Sequence, residues 1–307
     1  FSRSFNQISS EGGITAETLR SAVESKAYYR IPEILLDSSN LSSASPNPFS
    51  FLSSLSEAHQ IQVIDEILQY FIPIRPRSRP VMAYSCLLYH TLENPSLLPL
   101  SLSVVQRTLR SGCVPPPRTQ SLLSEAWIDC RRSNSVSGML TGMLRFGYSP
   151  DSGTCNHLIF SLCKNDQLEE AANVVKGMQA AGCVPDSDSY GFIIDRMIDL
   201  KRSDEALRTA DEMVRVHGLV PRNGTVLKAV RAAGGGDVSK RVELIELLED
   251  AGGGVGVAFE AYESVLEGCV KARRWILAGK FALRMAGKGF IPYIGMRRMV
   301  VEGLVSV

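Results

Sequence analysis

SGTCNHLIFSLCKNDQLEEAANVVKGMQAAGCVPD, residues 152–186, is the stretch on which the fold turns. Cys155, Leu158, Ile159 and Leu162 recur at i, i+3, i+4 and i+7, one apolar face of a helix. Asn165 and Asp166 break that period. Leu168, Ala171, Ala172, Val175 and Met178 then form a second face, with Asp166 as its expected cap and Glu169 three residues later at capping-box spacing. Gly182 and Pro185 end it, because glycine accepts the left-handed backbone that closes a helix and proline prevents resumption. The stretch reads as a helix, a tight turn and an antiparallel helix, with small alanines where the two backbones approach.

Outward from this unit the same punctuation repeats. Pro46, Pro80, Pro115, Pro150, Pro185, Pro221 and Pro292 are spaced 34, 35, 35, 35, 36 and 71 residues apart, the last being two periods. Gly112, Gly147, Gly182, Gly218 and Gly289 each stand three residues ahead of a proline, and Gly253 fills the interval that lacks one. Periods of this length mark stacked helical hairpins, in which neighbours jointly bury faces that no unit buries alone. The expectation is therefore an all-α chain, a right-handed α-solenoid of antiparallel hairpins with about seven repeats of about 35 residues. Their bounds are 46–80, 81–116, 117–151, 152–186, 187–222, 223–258 and 259–293. Ahead of them, 14–45 reads as a capping helix pair followed by the serine-rich linker DSSNLSSASPNP. Residues 294–307 read as the first helix of a further repeat, with Met296, Met299, Val300 and Leu304 on its apolar face, and the expectation is a chain truncated before the second helix.

Composition removes several function classes. The balance of 33 basic against 32 acidic residues sets no demand for a polyanion. No apolar run approaches the roughly 20 residues that cross a bilayer, so no membrane partner is expected. The seven cysteines show no CxxC spacing, and His59, His90, His157 and His217 are scattered, so buried reduced thiols are expected and no metal. The glycine clusters at 234–236 and 252–254 fall in repeat turns and cradle no phosphate. Paired carboxylates such as Glu169 and Glu170 lie on solvated helix faces, so neither a catalytic centre, a cofactor nor a small-molecule substrate is expected.

Basic residues keep a register of their own. Arg131 and Arg132, Lys201 and Arg202, and Arg273 and Arg274 fall at the same two positions of the repeat, in the turn after the first helix, while Lys164 and Lys271 share a position just before it. Cations at a helix C-terminus are favoured by about 0.3–1 kcal/mol each without any ligand. The alternative is an edge that tracks phosphates.

The phrases CNHLIFSLCKNDQLEEA and VVKGMQAAGCVPD resemble the pentatricopeptide repeat, a 35-residue helical hairpin abundant in plant mitochondria and chloroplasts. The endings RSGCVPP, RFGYSPD, VHGLVPR and GKGFIPY repeat the pattern, and the chain is similar to the plain class of that family, made of repeats alone. The resemblance implies a non-catalytic adaptor that binds single-stranded organellar RNA in transcript stability, processing or translation. The alternative is a docking scaffold within an organellar ribonucleoprotein such as the ribosome, in contact with its proteins. It also implies base reading by the fifth and last residues of a repeat, here Asn156 with Asp186, a pair the family associates with uridine, and Ser121 with Asp151. The other copies carry different pairs, and the residues expected to clasp a base, Gly153 and Asp188, are not the aliphatic ones usual there. Lys164, Arg131, Arg132, Lys201, Arg202, Lys271, Arg273 and Arg274 are the expected backbone contacts. FSRSFNQISS, without an acid before Glu11, suits the end of an organellar transit peptide over residues 1–13 or else a disordered tail. Mitochondrion is the expected compartment and chloroplast the alternative.

Overall fold

The structure, a computed structural model, describes residues 15–37, 47–232, 238–251 and 257–306. The expected leader at 1–13, the linker with Pro46, and the glycine clusters including Gly253 lie outside them. Among the described residues there are helices and turns and no strand, the all-α class expected. Helix α1 covers 15–24. It is followed by α2 (Ile31–Asp37), α3 (Glu57–Tyr70), α4 (Val81–Leu92), α5 (Leu98–Arg110), α6 (Pro117–Arg131), α7 (Val136–Thr141), α8 (Ser152–Lys164) and α9 (Leu168–Met178). Beyond a division at Val184 and Pro185 into two compact units come α10 (Ser187–Asp199), α11 (Ser203–Arg215), α12 (Asn223–Ala232), α13 (Val238–Ala251), α14 (Phe259–Lys271), α15 (Trp275–Gly287) and α16 (Ile294–Val305).

In the first unit α2, α4, α6 and α8 stack in succession, and α3, α5, α7 and α9 form the second layer. The apolar stripe read from α8 is the buried one: Cys155, Leu158, Ile159 and Leu162 are all in the core. On α9 Leu168, Ala171, Val175 and Met178 are buried as expected, Val174 joins them, and Ala172 is only half-buried. Between α9 and α7 of the neighbouring repeat a glycine allows close approach, since a Cβ on Gly177 would stand 2.3 Å from Val136 Cγ1. The segment 46–80 differs from a hairpin of two regular helices. Its first half is a 3-10 turn, Ser50–Ser54, and the layer of first helices is continued by α2. Phe49 and Leu52 still reach the core from this turn, so the apolar pattern is kept without the helix.

The second unit holds the pairs α10/α11, α12/α13 and α14/α15, with α10, α12 and α14 in succession and α16 against α15 and α14. Its core gathers Val230, Ile245, Val265, Leu266, Cys269, Ala278 and Met285. Arg284 on α15 closes the α13 layer by ion pairing with Glu246 and Glu249, and Tyr262 donates its hydroxyl proton to Glu249 as well. On α16 the contact face is Val300 and Gly303, with Trp275 filling the space a Cβ on Gly303 would need. Met299 and Leu304, expected on that face, remain exposed.

Both ends of the hairpins close by one device. After α9, Cys183 N–H donates to Met178 O at 2.9 Å and Gly182 N–H to Gln179 O at 3.1 Å, with Gly182 at φ +79°. This is the paired bond of a left-handed helix stop, and it brings the next residue onto the helix end. The equivalent bonds occur at Gly112, Gly147 and Gly289, which accounts for the burial of Cys113, Tyr148 and Cys183 directly after their glycines. The turns after first helices use the same bonds without glycine: Gln167 N–H donates to Leu162 O at 2.9 Å, and Asp166 sits at φ +60°. The expected Asp166 cap with Glu169 is therefore corrected. Asp166 is the left-handed closing residue of α8, and α9 starts at Gln167 with no side-chain cap. Lys26, Lys201 and Arg273 occupy the same conformation. A left-handed L-residue costs about 1–2 kcal/mol that glycine avoids. Lys201→Gly is expected to raise unfolding free energy by roughly 0.5–1 kcal/mol and Gly182→Ala to lower it by about 1 kcal/mol, read from urea midpoints.

One polar network of the first unit gathers on Glu66. Tyr28 donates to Glu66 Oε2 at 2.6 Å, Lys26 lies 3.1 Å from the same oxygen, and Gln62 donates to Oε1 at 3.1 Å. The Tyr28 hydrogen bond first, then those of Lys26 and Gln62, hold the carboxyl down at about 2 from 4.5. A depressed carboxylate contributes stability that is present above its unfolded value and lost as pH falls through the folded one. The contribution should thus disappear between pH 4.5 and about 2, and acid titration of Glu66→Gln followed by circular dichroism should lack that component.

Candidate nucleic-acid interface

The four residues expected to meet bases are placed by helix starts. Asp151 is the N-cap of α8: Thr154 donates to its Oδ1 from the backbone N–H at 2.9 Å and from Oγ1 at 2.7 Å, and Arg110 Nη2 donates to Oδ2 at 2.8 Å. Burial pushes this carboxyl up, but the bonds from Thr154 and Arg110 outweigh it and hold it below its usual range. Asp186 caps α10 in the same way, accepting from Asp188 N–H at 2.9 Å and Ser189 N–H at 3.0 Å, while its own N–H donates to Ser189 Oγ at 3.1 Å. This reciprocal pair is the capping box of the 152–186 junction, formed one repeat boundary later than the sequence spacing around Asp166 indicated.

Ser121 on α6 donates to Asn165 Oδ1 at 3.1 Å, a bond between neighbouring repeats. Asn156 on α8 is buried, with 9% of its surface exposed. Asn156 belongs to the first unit and Asp186 to the second. Of the residues at the clasping position, Gly153 is exposed and Asp188 is ion-paired with Arg222 at 2.5 Å.

The basic register separates into two sets once partners are known. Arg131 Nε lies 3.3 Å from Glu170, Arg132 pairs with Asp129, Arg202 with Glu205 at 2.5 Å and Lys271 with Glu267 at 2.6 Å. Lys164, Lys201, Arg273 and Arg274 are exposed, and among the described residues they have no acid partner. Lys164 instead lies over the Phe160 ring, 5.4 Å from its centroid. In the second unit Lys201 opens onto a cleft of about 670 Å³ that also receives Arg202, Arg208 and Lys240, with Asp204 and Glu205 as its acids. Lys240 donates to Asp204 at 2.6 Å and holds that carboxyl below its usual range. Four cations against two carboxylates leave this edge positive. Arg208 and Lys240 were not among the expected contacts, because they lie outside the register and reach the cleft only through the packing of α11 against α13.

The seven cysteines are free. Burial pushes the Cys86 and Cys269 thiols up to about 11, which leaves them protonated and unreactive at neutral pH. No group of three or more His, Cys, Asp or Glu side chains suited to a metal occurs among the described residues, and no described helix is long and apolar enough to span a membrane.

The repeat geometry is matched by kinship. Residues 150–199 match the PPR repeat family. A pentatricopeptide repeat-containing protein of Arabidopsis thaliana is 45% identical over 307 aligned residues, covering 99% of this chain and 88% of that protein. A second from Arabidopsis thaliana, named as chloroplastic, is 27% identical over 62% of this chain and 24% of its own length. A third from the same plant, named as mitochondrial, is 29% identical over 28% of this chain and 14% of its own. A match of nearly half the residues across almost the whole of both chains, joined to hairpins closed every 35 residues or so, settles the lineage. The chain belongs to the pentatricopeptide repeat family.

Proposed function

We propose that this chain is a non-catalytic adaptor that binds single-stranded RNA in organellar RNA metabolism, acting on transcript stability, processing or translation. The observation that carries the reading is the set Lys164, Lys201, Arg273 and Arg274, cations placed at the ends of first helices and left without acid partners among the described residues. In a chain of net charge +1, whose other register cations are ion-paired, unpaired charge recurring where first helices end is available to phosphates. Asn156 with Asp186, and Ser121 with Asp151, are the proposed base-reading positions. The relatives named for a compartment divide between chloroplast and mitochondrion, and the acid-poor FSRSFNQISS suits the leader of either organelle; the mitochondrion is the compartment proposed and the chloroplast the alternative.

Fluorescence anisotropy with uridine-rich and uridine-free single strands tests this. Binding should weaken with salt, and Asn156→Ala should cost about 1–3 kcal/mol on the uridine-rich strand alone. Equal affinity for both strands, unchanged by the substitution, removes base reading. Absence of any RNA binding gives precedence to the second reading, a protein-docking scaffold. That reading draws on the apolar residues left exposed near the end of the second unit, where Leu283 is 77% and Ile294 78% exposed.

A further inference from the structure

Away from the repeat register, the loop YFIPIRPRSRP, residues 70–80, carries three arginines and no acid. It follows α3 and lies against the Tyr28–Arg30 turn and α2, where Tyr29, Tyr70, Pro32, Pro73, Ile74 and Arg75 border a cleft of about 300 Å³. Tyr29 is 59% and Tyr70 41% exposed. Tyr70 is fixed by the Tyr28 ring, which meets it edge-on at 6.0 Å and 64°, and Tyr28 is itself held by Glu66. Arg75 is oriented by donating from Nη1 to the carbonyls of Ile72 and Ile74, both at 2.9 Å. Arg79 is neutralised by Glu33 at 2.6 Å and forms a wall. Arg30, Arg75 and Arg77 are exposed, with no carboxylate partner among the described residues.

We propose that this face is a binding subsite for one nucleobase and its adjoining phosphate, extending the path of a bound single strand onto the segment ahead of α4. The proposal rests on the RNA reading above and adds a place where the irregular 46–80 segment meets the helix pair ahead of it. Every base offers a π-face to an exposed aromatic ring, and guanidinium groups beside that ring meet the phosphate. A ring such as Tyr70 and a guanidinium such as Arg75, already held in place, lose little freedom on binding, which favours affinity. An acidic peptide would use the arginines but has no need of two tyrosine faces around a cleft of this size, so the nucleic acid is the favoured occupant.

The test uses the full chain with a fluorescein-labelled uridine-rich single strand, and a second strand bearing 4-thiouridine for photocrosslinking. Tyr29→Ala is expected to weaken binding at least about fivefold with an unchanged salt slope, as loss of stacking should, and Tyr29→Phe to restore it. Arg75→Gln with Arg77→Gln should reduce the salt slope by about 0.7, the value for one phosphate contact in a single strand. Crosslinks should fall on the peptides holding Tyr29 or Tyr70. The subsite is overturned, with the RNA reading intact, if wild-type binding depends on Lys201, Arg273 and Arg274 while these variants keep affinity and slope and no crosslink maps there. It is overturned equally if polyglutamate binding is lost in the arginine variant and RNA binding is not, which would mark an acidic-peptide surface. Absence of RNA binding by the wild type overturns both proposals. Circular dichroism of each variant checks that the helices persist.

Discussion

Trp127→Ala should lower the unfolding free energy of the first unit by about 3–5 kcal/mol, the range for emptying a large aromatic site in a packed core. Trp127 is the largest fully buried side chain, on α6 between α4 and α8. Its indole N–H donates to Glu170 Oε2 at 3.3 Å, and Arg131 lies at the same distance from that oxygen, so the substitution opens a cavity and also removes a donor from a shared carboxylate. Trp127→Phe weights the second effect, since it keeps most of the ring volume while losing the N–H. Urea denaturation monitored by far-ultraviolet circular dichroism reads both. Because stacked repeats are coupled mainly to their neighbours, the loss should appear as an earlier transition for the first unit and not as a uniform shift. A destabilisation below about 1 kcal/mol would show that neighbouring helices collapse into the space and that α6 is not a rigid member of the stack.

Replacing Lys201, Arg273 and Arg274 together by glutamine should lower RNA affinity about 100-fold at 0.1 M salt and reduce the slope of log K against log salt by about 2.1. The arithmetic is about 0.7 per phosphate contact on a single strand, three contacts, and one decade below 1 M salt. The effect should be the same for uridine-rich and uridine-free strands, since phosphates carry no sequence. Arg132, Arg202 and Lys271 are the matched control. Their charges are answered by Asp129, Glu205 and Glu267, and changing all three to glutamine should leave the slope nearly unaltered. A slope change below about 0.7 in the first variant, or equal changes in both, would refute the division between paired and unpaired cations.

Much of this was legible in the residues, and the exceptions have physical reasons. The α8 stripe and the glycine stops could be read because both are local: one depends on a 3.6-residue period, the other on the backbone freedom of a single residue. Asp166 was misassigned because a cap requires an extended backbone at that residue, and the turn instead holds it at φ +60°. In 46–80 the apolar content survived while the helix did not, since Phe49 and Leu52 reach the core from a 3-10 turn. The ion pairs divide along the same line. Arg202–Glu205 and Lys271–Glu267 are three and four residues apart and visible in the chain, whereas Arg131–Glu170 joins neighbouring repeats and needed the packing. The proposed base-reading positions fall between these cases, for Ser121 donates to Asn165 across the same kind of boundary.

The caps at Asp151 and Asp186 restrict what those positions are free to become. Each side chain accepts backbone N–H at the start of the following helix, a role that serine, threonine, aspartate and asparagine fill well, with replacement by alanine costing about 0.5–2 kcal/mol and by glycine a few tenths. The last residue of each of these repeats is therefore restricted by folding alone, whatever else it meets. Any redesign of the chain that replaces residue 151 or 186 with a side chain that caps poorly would have to restore the helix start elsewhere, for instance with an acid in the first turn, before an effect on binding could be separated from one on folding.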